Sequence, residues 1–354
     1  MEKSTDYLNA LASRAFDSKK TLGRERKEDE DLDFYKFLDP FDIDIYKIKS
    51  CKSFRSLSNK TQVWPLSKNP LIRHRLSHTM EVEAVAVIIA RTLGLNVSLA
   101  SAIALAHDLG HAPFGHLFER VITAIVGVEF RHGIFGAIML QKIERQGRGV
   151  NLSFEVMEGV SKHSGSEKKL ASDDKLPLEY AAIACADKIA FLFSDVNDTL
   201  RTKYVARRDL PEAFSFLGAN QRAQVNSCLV ALFKESAERG TISFSDSPEA
   251  LAFEGARQWM YKNVYCRVDK DPDRRENENH ICQAYSFMRD YFGLDPITTA
   301  VAMATMTDRE VIELSGLKKR GTIDSVKILD QLGFMEFLPY CQGIGFTEAD
   351  LTNY

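Results

Sequence analysis

The strongest constraint on the fold is a helical spacing of apolar residues that begins near residue 77. Five residues share one face of this first helix: His78, Val82, Val85, Ile89 and Leu93. Gly94 is suited to end the helix, because glycine readily adopts the left-handed backbone of a helix C-terminus. Helical spacing returns in residues 154–163 and 178–200, and residues 240–250 leave room for one short strand at most. The sequence therefore predicts an all-α fold.

Histidine is concentrated in the part of the chain where this pattern is clearest. Of the eight histidines, seven lie within residues 74–163: His74, His78, His107, His111, His116, His132 and His163. A second helix is predicted over residues 99–109, with Ser98 as its N-cap and Gly110 as its stop. His107 and Asp108 then lie in the last turn of an alanine-rich, buried helix.

Four side chains from three predicted helices are candidate metal ligands. His78 precedes the adjacent pair His107 and Asp108 by one helix, and two antiparallel helices can bring these three groups together. Asp187 lies in the apolar run AAIACADKIAFLF, where a carboxylate is costly to bury unless it is paired or bound to a cation. Two imidazoles and two carboxylates suit a divalent transition ion such as Mn, Fe, Co or Ni better than a structural zinc.

Each of these residues also has a plainer interpretation. A single histidine on an apolar helix face is more often a hydrogen-bonded core residue than a ligand, and an HD dipeptide alone is weak evidence. The combination favours a metal site, because His78, the pair His107–Asp108 and Asp187 each occupy a helical position.

Several stretches match the motifs of a known family. The longest are ALAHDLGHAPFGHLFE (104–119) and CADKIAFLFSD (185–195). The others are FRSLSNKTQV (54–63), RHRLSHT (73–79), FRHG (130–133), NLSFEVMEGVSKH (151–163) and MTDRE (306–310). Together they resemble the HD-domain phosphohydrolase superfamily and, more narrowly, its deoxynucleoside triphosphate triphosphohydrolase (dNTPase, dGTPase-like) branch. The resemblance runs from about residue 42 to 200 and again, weakly, near 300–310.

The resemblance implies a role for each matched residue. The implied metal ligands are His78, His107, Asp108 and Asp187. The implied catalytic residues are His116 and Glu119, together with His111 and His132. The implied substrate contacts are Arg75 at phosphate, Asp195 near the sugar, and Lys60 and Gln62. The plainer alternatives are an ion-pair role for Arg75, solvated surface positions for Glu119 and Lys60, and a polar helix edge at Asp195.

The implied reaction converts a deoxynucleoside triphosphate, with dGTP as one candidate, to a deoxynucleoside and inorganic triphosphate. A divalent ion lowers the pKa of bound water, which can then attack the α-phosphorus. The expected ion is Mn²⁺, with Mg²⁺, Co²⁺, Fe²⁺ and Ni²⁺ as alternatives. His116 is suited to protonate the leaving 5′-oxygen, and Glu119, one helical turn away, is suited to orient it.

The chain departs from the family pattern at several positions. Ser56 replaces an arginine, Phe191 a tyrosine and Ser194 a histidine. Three more changes are Ala112, Val301 and Ala302. The metal ligands and the His116–Glu119 pair are retained, so hydrolase chemistry is predicted more firmly than the usual substrate.

Two other functions remain as alternatives. One is a different HD phosphohydrolase that acts on nucleoside monophosphates, (p)ppGpp or nucleic-acid ends. The absence of a GYP motif argues against the cyclic-dinucleotide branch. The other is a nucleotide-binding regulatory protein, although the intact His116 and Glu119 argue against lost catalysis.

Composition and charge narrow the setting and the partners. The net charge of −3 gives no global basic field for nucleic acid, and no apolar run is long enough to span a bilayer. Six scattered cysteines without a CxxC pair argue against a disulfide framework and favour the reducing cytoplasm. The resemblance implies a homo-oligomer, often with an allosteric nucleotide.

Three regions are predicted along the chain. Residues 1–38 form a charged, mobile N-terminal segment, because residues 18–32 are dense in charge and the apolar pattern starts only near residue 39. Residues 39–205 form an HD-domain helical bundle that carries the metal-dependent phosphohydrolase chemistry. Residues 206–354 form a C-terminal helical region that packs on this core.

Overall fold

The computed structural model describes residues 7–27, 33–163, 175–268, 272–317 and 327–352. Within these ranges the secondary structure is helical, and no strand is formed. Two isolated bridges join Arg24 to Ser153 and Thr61 to His74. The predicted all-α fold is confirmed, and residues 240–250 contain no strand.

The helices are numbered here in chain order. The N-terminal half contains α1 (Pro40–Lys49), α2 (Lys52–Ser56), α3 (Arg75–Leu93), α4 (Val97–Ala106), α5 (His116–Val126), α6 (His132–Ile138), α7 (Phe154–Lys162) and α8 (Leu178–Arg201). The C-terminal half contains α9 (Glu212–Leu217), α10 (Gln221–Arg239), α11 (Pro248–Met260), α12 (Cys266–Val268), α13 (Pro272–Phe292), α14 (Pro296–Ala304) and α15 (Asp308–Leu317). Helix α6 continues as a π-helical turn at Met139–Ile143, and α11 continues as another at Tyr261–Tyr265.

Helices α3, α4 and α8 pack together at the centre of the N-terminal half. Helix α3 ends at Gly94 in the left-handed conformation (φ 79°), as the sequence predicts. Helix α4 begins earlier than predicted, because the side chain of Asn96 caps it by accepting from the backbone N–H of Leu99. Ser98 is therefore not the N-cap, and its hydroxyl donates to Asp42 (2.6 Å). Helix α4 ends at Ala106 with His107 as its C-cap.

The N-terminal segment is packed against this core wherever the structure describes it. Leu11 is buried in the hydrophobic core, and its backbone N–H donates to the carbonyl of Leu93 (2.9 Å). Arg24 forms an ion pair with Asp44, a carboxylate that is buried completely. Residues 7–27 thus contact the core at these points, and the mobility of the N-terminal segment stays a prediction. Residues 1–6 and 28–32 of that segment lie outside the described residues.

The C-terminal region divides between two hydrophobic clusters. Helices α9, α10 and α11 extend the cluster that α3, α4 and α8 form. The second cluster contains apolar residues of α13, α14 and α15, and it packs against α5 and Phe135 of α6. Helices α5 and α6 begin at His116 and His132, so the second cluster lies behind the helices that carry these two histidines.

Two expectations about the chemical setting can be compared with this fold. None of the six cysteines is in a disulfide, and each lies in a described range. Among the described residues, every helix is either too short or too polar to cross a lipid bilayer.

Candidate active site

The four predicted metal ligands meet between α3, the end of α4 and α8. His78 Nε2 lies 3.1 Å from Asp187 Oδ1, and His107 Nε2 lies 3.8 Å from the same oxygen. Asp108 approaches both imidazoles, at 3.8 Å from His78 Nε2 and 3.5 Å from His107 Nε2. The structure therefore brings together two imidazole nitrogens and two carboxylates from parts of the chain up to 109 residues apart.

The donor atoms of this cluster suit a divalent ion. His107 Nδ1 donates to the carbonyl of Ala104 (2.7 Å), which fixes the proton on that nitrogen. His107 Nε2 is then left with its lone pair, and it is buried with no hydrogen-bond partner among the described residues. A backbone carbonyl behind an imidazole is the usual way in which proteins orient a metal-binding histidine. His78, His107 and Asp108 also lie close enough for three ligand atoms to share one ion.

Arg75 supports the metal cluster from behind. Its Nη1 donates to Asp108 Oδ2 (2.7 Å), and both side chains are buried. Burial alone would raise the pKa of Asp108, but interactions with the imidazoles of His107 and His111 and with the Arg75 guanidinium hold it well below its usual value. Asp108 is therefore a carboxylate, which is the form that binds a cation.

A second cluster lies beside the first and is centred on Glu119 of α5. Glu119 accepts from His132 Nδ1 (2.7 Å) and from His116 Nδ1 (3.1 Å). Burial acts to raise the pKa of Glu119, yet the charge of His132 and the hydrogen bonds from His116 and His132 lower it well below its usual range. The His116 side chain is 65% exposed, so the predicted proton donor faces solvent while its carboxylate partner is largely buried.

His111 connects the two clusters. Its Nε2 lies 3.2 Å from Asp108 Oδ1, and its ring stacks on that of His132 at 3.7 Å between centroids. Its Nδ1 is 3.8 Å from Glu119 Oε1. Burial and the charges of Arg75 and His132 lower the pKa of His111 well below its usual value, so this imidazole is neutral.

His163 is a member of the site to which the sequence analysis gave no role. Its Nδ1 donates to the carbonyl of Val160 (2.7 Å), and its Nε2 lies 3.2 Å from His132 Nε2. Burial, with the charges of His132 and His107, lowers the pKa of His163 to about 3. His163 Nε2 is thus an acceptor, and His132 donates from both ring nitrogens, to His163 and to Glu119. The signal was present in the sequence, since His163 ends the stretch NLSFEVMEGVSKH.

Lys60 is buried beside the loop that precedes α5. It is 1% exposed, and its ammonium donates to the carbonyls of His111 (2.6 Å) and Ala304 (3.1 Å). Burial lowers the pKa of Lys60 to about 8. The ammonium group is bonded to two backbone carbonyls, so the contacts that the structure shows for Lys60 are structural, and a contact with substrate stays a prediction. Gln62 is partly buried, and its Oε1 has no hydrogen-bond partner among the described residues.

Asp195 lies on α8, two turns beyond Asp187, and is held by a residue that the sequence did not reveal. The Tyr265 hydroxyl donates to Asp195 Oδ2 (2.8 Å), and the Tyr265 ring stacks on Phe191 at 5.5 Å. Burial raises the pKa of Asp195 to about 7. Tyr265 lies 70 residues after Asp195 and matches no quoted motif, so only the fold brings it to this position.

The departures from the family pattern fall in different surroundings. Ser194 donates to Glu81 (2.5 Å) and accepts from Gln221 (3.2 Å), in a polar network next to α3. Val301 and Ala302 are completely buried in the second hydrophobic cluster, where they contribute to the apolar packing of α14.

Comparisons with known proteins agree with this geometry. The HD domain family matches residues 75–192, a range that contains all four predicted metal ligands. A deoxyguanosinetriphosphate triphosphohydrolase-like protein of Clostridium tetani is 34% identical over 70% of this chain and 71% of its own length. Proteins of the same name from Caldanaerobacter subterraneus subsp. tengcongensis and Desulfatibacillum aliphaticivorans are 31% and 34% identical. The Caldanaerobacter similarity covers 79% of this chain and 80% of that protein. The Desulfatibacillum similarity covers 75% of each.

The site and these similarities support the same chemical class. The site combines a histidine and aspartate cluster suited to a divalent metal with a carboxylate that has two histidine donors. This combination is suited to a metal-dependent hydrolase that acts on nucleotides. On this evidence the chain is an HD-domain phosphohydrolase that belongs to the family of deoxyguanosinetriphosphate triphosphohydrolase-like proteins.

Proposed function

We propose that this protein hydrolyses deoxynucleoside triphosphates to a deoxynucleoside and inorganic triphosphate. The observation that carries the proposal is the contact between the two clusters through His111. This residue is 3.2 Å from the metal-ligand carboxylate of Asp108 and is stacked on His132, which donates to Glu119. A phosphoester held across this junction meets a metal site on one side and a proton donor on the other.

The residues of the site have distinct tasks in this reaction. His78, His107, Asp108 and Asp187 would hold a divalent ion, which would supply a water of low pKa and would polarise a phosphoryl oxygen. His116 is exposed and hydrogen-bonded to Glu119, so it is placed to protonate the leaving 5′-oxygen. Glu119 accepts a hydrogen bond from His116 Nδ1 (3.1 Å) and thereby orients the imidazole ring of His116.

The substrate class rests on the relatives and on the retained residues. The relatives carry the name of a deoxyguanosinetriphosphate triphosphohydrolase-like protein, and dGTP is therefore the first substrate to test. Asp195 and Tyr265 form a polar pair next to the stacked ring of Phe191, which is suited to a hydroxylated sugar. We propose Mn²⁺ as the metal, since mixed imidazole and carboxylate ligands suit it, and a homo-oligomer as the assembly.

The direct test is a product assay. Purified protein is incubated with Mn²⁺ and each deoxynucleoside triphosphate, alone and in mixtures that supply an activating nucleotide, and the products are resolved by ion-exchange chromatography. We expect a deoxynucleoside and inorganic triphosphate. Asp187→Ala removes a metal ligand and His116→Ala removes the proton donor, and both variants should be inactive.

A matched variant separates loss of chemistry from loss of folding. His74 is an exposed histidine at the N-cap of α3, outside both clusters, so His74→Asn retains a capping side chain and should keep activity. Parallel reactions with Mg²⁺ and Co²⁺ test the metal, and light scattering of the same sample tests the assembly. If every triphosphate stays intact, the proposal is wrong. Nucleoside monophosphates and (p)ppGpp are then the next substrates to test.

A further inference from the structure

Asp308, at the first position of α15, is bonded to two segments that are far away in sequence. Its Oδ1 accepts from the backbone N–H of Phe114 (2.9 Å). Its Oδ2 accepts from the backbone N–H of Thr61 (3.0 Å) and from the Thr61 hydroxyl. Asp308 is 3% exposed, so these bonds form in a region from which water is excluded. One carboxylate of the C-terminal region thus fastens both the 60–61 segment and the loop before α5.

Lys60 fastens the same loop from its other end. Its buried ammonium donates to the carbonyl of His111 (2.6 Å) and to that of Ala304 at the end of α14 (3.1 Å). Lys60 and Asp308 together therefore hold residues 111 and 114, and each links them to the second hydrophobic cluster. Charge-assisted hydrogen bonds of this kind are stronger than neutral ones, and they weaken steeply with distance.

The 60–61 segment is also tied to the helix that carries the metal ligand His78. Thr61 forms a bridge with His74, and the backbone N–H of Arg75 donates to the carbonyl of Lys60 (3.1 Å). Arg75 in turn holds Asp108. Lys60 and Thr61 therefore contact both sides of the site. They are linked to the metal cluster through Arg75, and to the loop that ends in His116 through His111 and Asp308.

The loop needs such support because its backbone is strained. Phe114 has a φ of 58° and Gly115 a φ of 57°, and a positive φ is uncommon for a bulky residue such as phenylalanine. Strained backbone of this kind persists only where surrounding contacts over-determine it. The N–H of Phe114 is fixed by Asp308, immediately before the turn that aims His116 at Glu119.

We propose that Asp308 and Lys60 are positioning residues that set the distance between the metal cluster and the His116–Glu119 pair, and thereby make activity depend on the packing of α14 and α15. The expected effect on catalysis rests on the proposed function, whereas the contacts of Asp308 and Lys60 are independent of it. A displacement of about 1 Å at such a loop is enough to lower a rate about a hundredfold.

The test uses two volume-conserving variants and one control. Asp308→Asn puts an amide N–H₂ against the donors of Thr61 or Phe114, and Lys60→Met removes the ammonium. Asp295→Asn is the matched control, because Asp295 caps α14 by accepting from Ile297 and Thr298, at the opposite end of this helix from Ala304. We measure kcat and KM for the triphosphate, Mn²⁺ affinity by calorimetry, and hydrogen–deuterium exchange of residues 107–119.

We expect kcat to fall at least tenfold in both variants, while KM and Mn²⁺ affinity change less than about threefold. Exchange in residues 107–119 should rise, and exchange around Asp187 should stay as in the unaltered protein. Asp295→Asn should leave all of these readouts unchanged. Unaltered kcat and exchange in both variants overturn the inference, as does a parallel loss of kcat, Mn²⁺ affinity and protection throughout the protein.

Failure of the proposed function gives a different result. If the unaltered protein cleaves no triphosphate, the exchange measurement still decides, because it requires no substrate. A local rise in exchange at residues 107–119 in Asp308→Asn and Lys60→Met then supports the positioning role, and unchanged exchange overturns it.

Discussion

Arg75 and Asp108 form a buried ion pair in which Nη1 lies 2.7 Å from Oδ2 and each side chain is about 5% exposed. Asp108 is also one of the four predicted metal ligands. A cation bound there would share the negative charge of Asp108 with the internal guanidinium of Arg75. We therefore expect the stability of the protein and its affinity for metal to be coupled through this one carboxylate.

Replacing Arg75 should make folding depend on metal. Arg75→Gln leaves Asp108 as a buried carboxylate without its internal cation, a change that typically costs roughly 3–5 kcal/mol. Added Mn²⁺ restores a positive charge next to Asp108. We expect a lower melting temperature in chelator, and a larger rise on addition of Mn²⁺ than in the unaltered protein, as measured by calorimetry.

Arg73 provides the matched control for this experiment. Its Nη1 lies 3.0 Å from Asp198 Oδ1, an equally buried carboxylate that is not a metal ligand. Arg73→Gln should also lower the melting temperature, but Mn²⁺ should raise it by no more than in the unaltered protein. An equal response to Mn²⁺ in both variants would show that Arg75 and the metal do not share Asp108.

The buried carboxyl of Asp195 should make stability fall with rising pH. Burial raises its pKa from 3.8 to about 7, so the folded protein retains a proton that the unfolded chain has already lost. This contribution to stability is fully present below pH 3.8 and is lost as pH rises through about 7. Asp195→Asn carries no charge, so it should be more stable than the unaltered protein at pH 8 by a few kcal/mol, at about 1.4 kcal/mol per pKa unit.

Urea unfolding at several pH values checks this prediction. The advantage of Asp195→Asn should shrink as pH falls and vanish near pH 4. Tyr265→Phe removes the donor that helps to keep Asp195 charged, so it should move the transition to higher pH. A constant difference between Asp195→Asn and the unaltered protein across this range would contradict the assignment.

The sequence predicted the metal cluster better than its surroundings. His78 and Asp187 lie within α3 and α8, and His107 and Asp108 directly follow α4, so the packing of these three helices brings the four side chains together. The predicted N-cap of α4 was wrong, because the choice of cap depends on a contact with a distant part of the chain. Asn96 and Ser98 are both good caps, and the hydroxyl of Ser98 is taken by Asp42 of α1.

Long-range packing also decided the roles of Lys60 and Tyr265. The motif predicts a substrate contact for Lys60, whereas the structure shows its ammonium donating to the carbonyl of Ala304, which lies 244 residues later. Tyr265 reaches Asp195 only because the π-helical turn Tyr261–Tyr265 extends α11 towards α8. Neither arrangement is encoded by spacing, since both depend on how the C-terminal helices dock.

Glu235 of α10 gives a pH dependence of the opposite sign. Burial acts to raise its pKa, but hydrogen bonds from Ser243, Ser245 and Asp246 lower it from 4.5 to about 2. This contribution to stability is present above pH 4.5 and is lost as pH falls through about 2. Glu235→Gln should be less stable than the unaltered protein at pH 7, with a difference that narrows below pH 4.5 in chemical unfolding. Glu238→Gln, on the exposed face of the same helix, should show no such difference at any pH.

A side chain at position 115 should disturb Arg75, which lies close to the loop before α5. The Gly115 backbone (φ 57°, ψ −130°) is unfavourable for any L side chain, and an added Cβ would lie 2.9 Å from Arg75 Nη2. Gly115→Ala should therefore cost about 1–3 kcal/mol of stability and displace both Arg75 and His116. Gly127→Ala separates the two effects, since Gly127 (φ 72°) also has a positive φ but an added Cβ there meets no atom within 4 Å. Both variants should unfold at lower urea concentration, and only Gly115→Ala should lose Mn²⁺-dependent triphosphate cleavage. Equal cleavage by the two variants would mean that Gly115→Ala acts through backbone strain alone. The contact between residue 115 and Arg75 would then have no effect on the site.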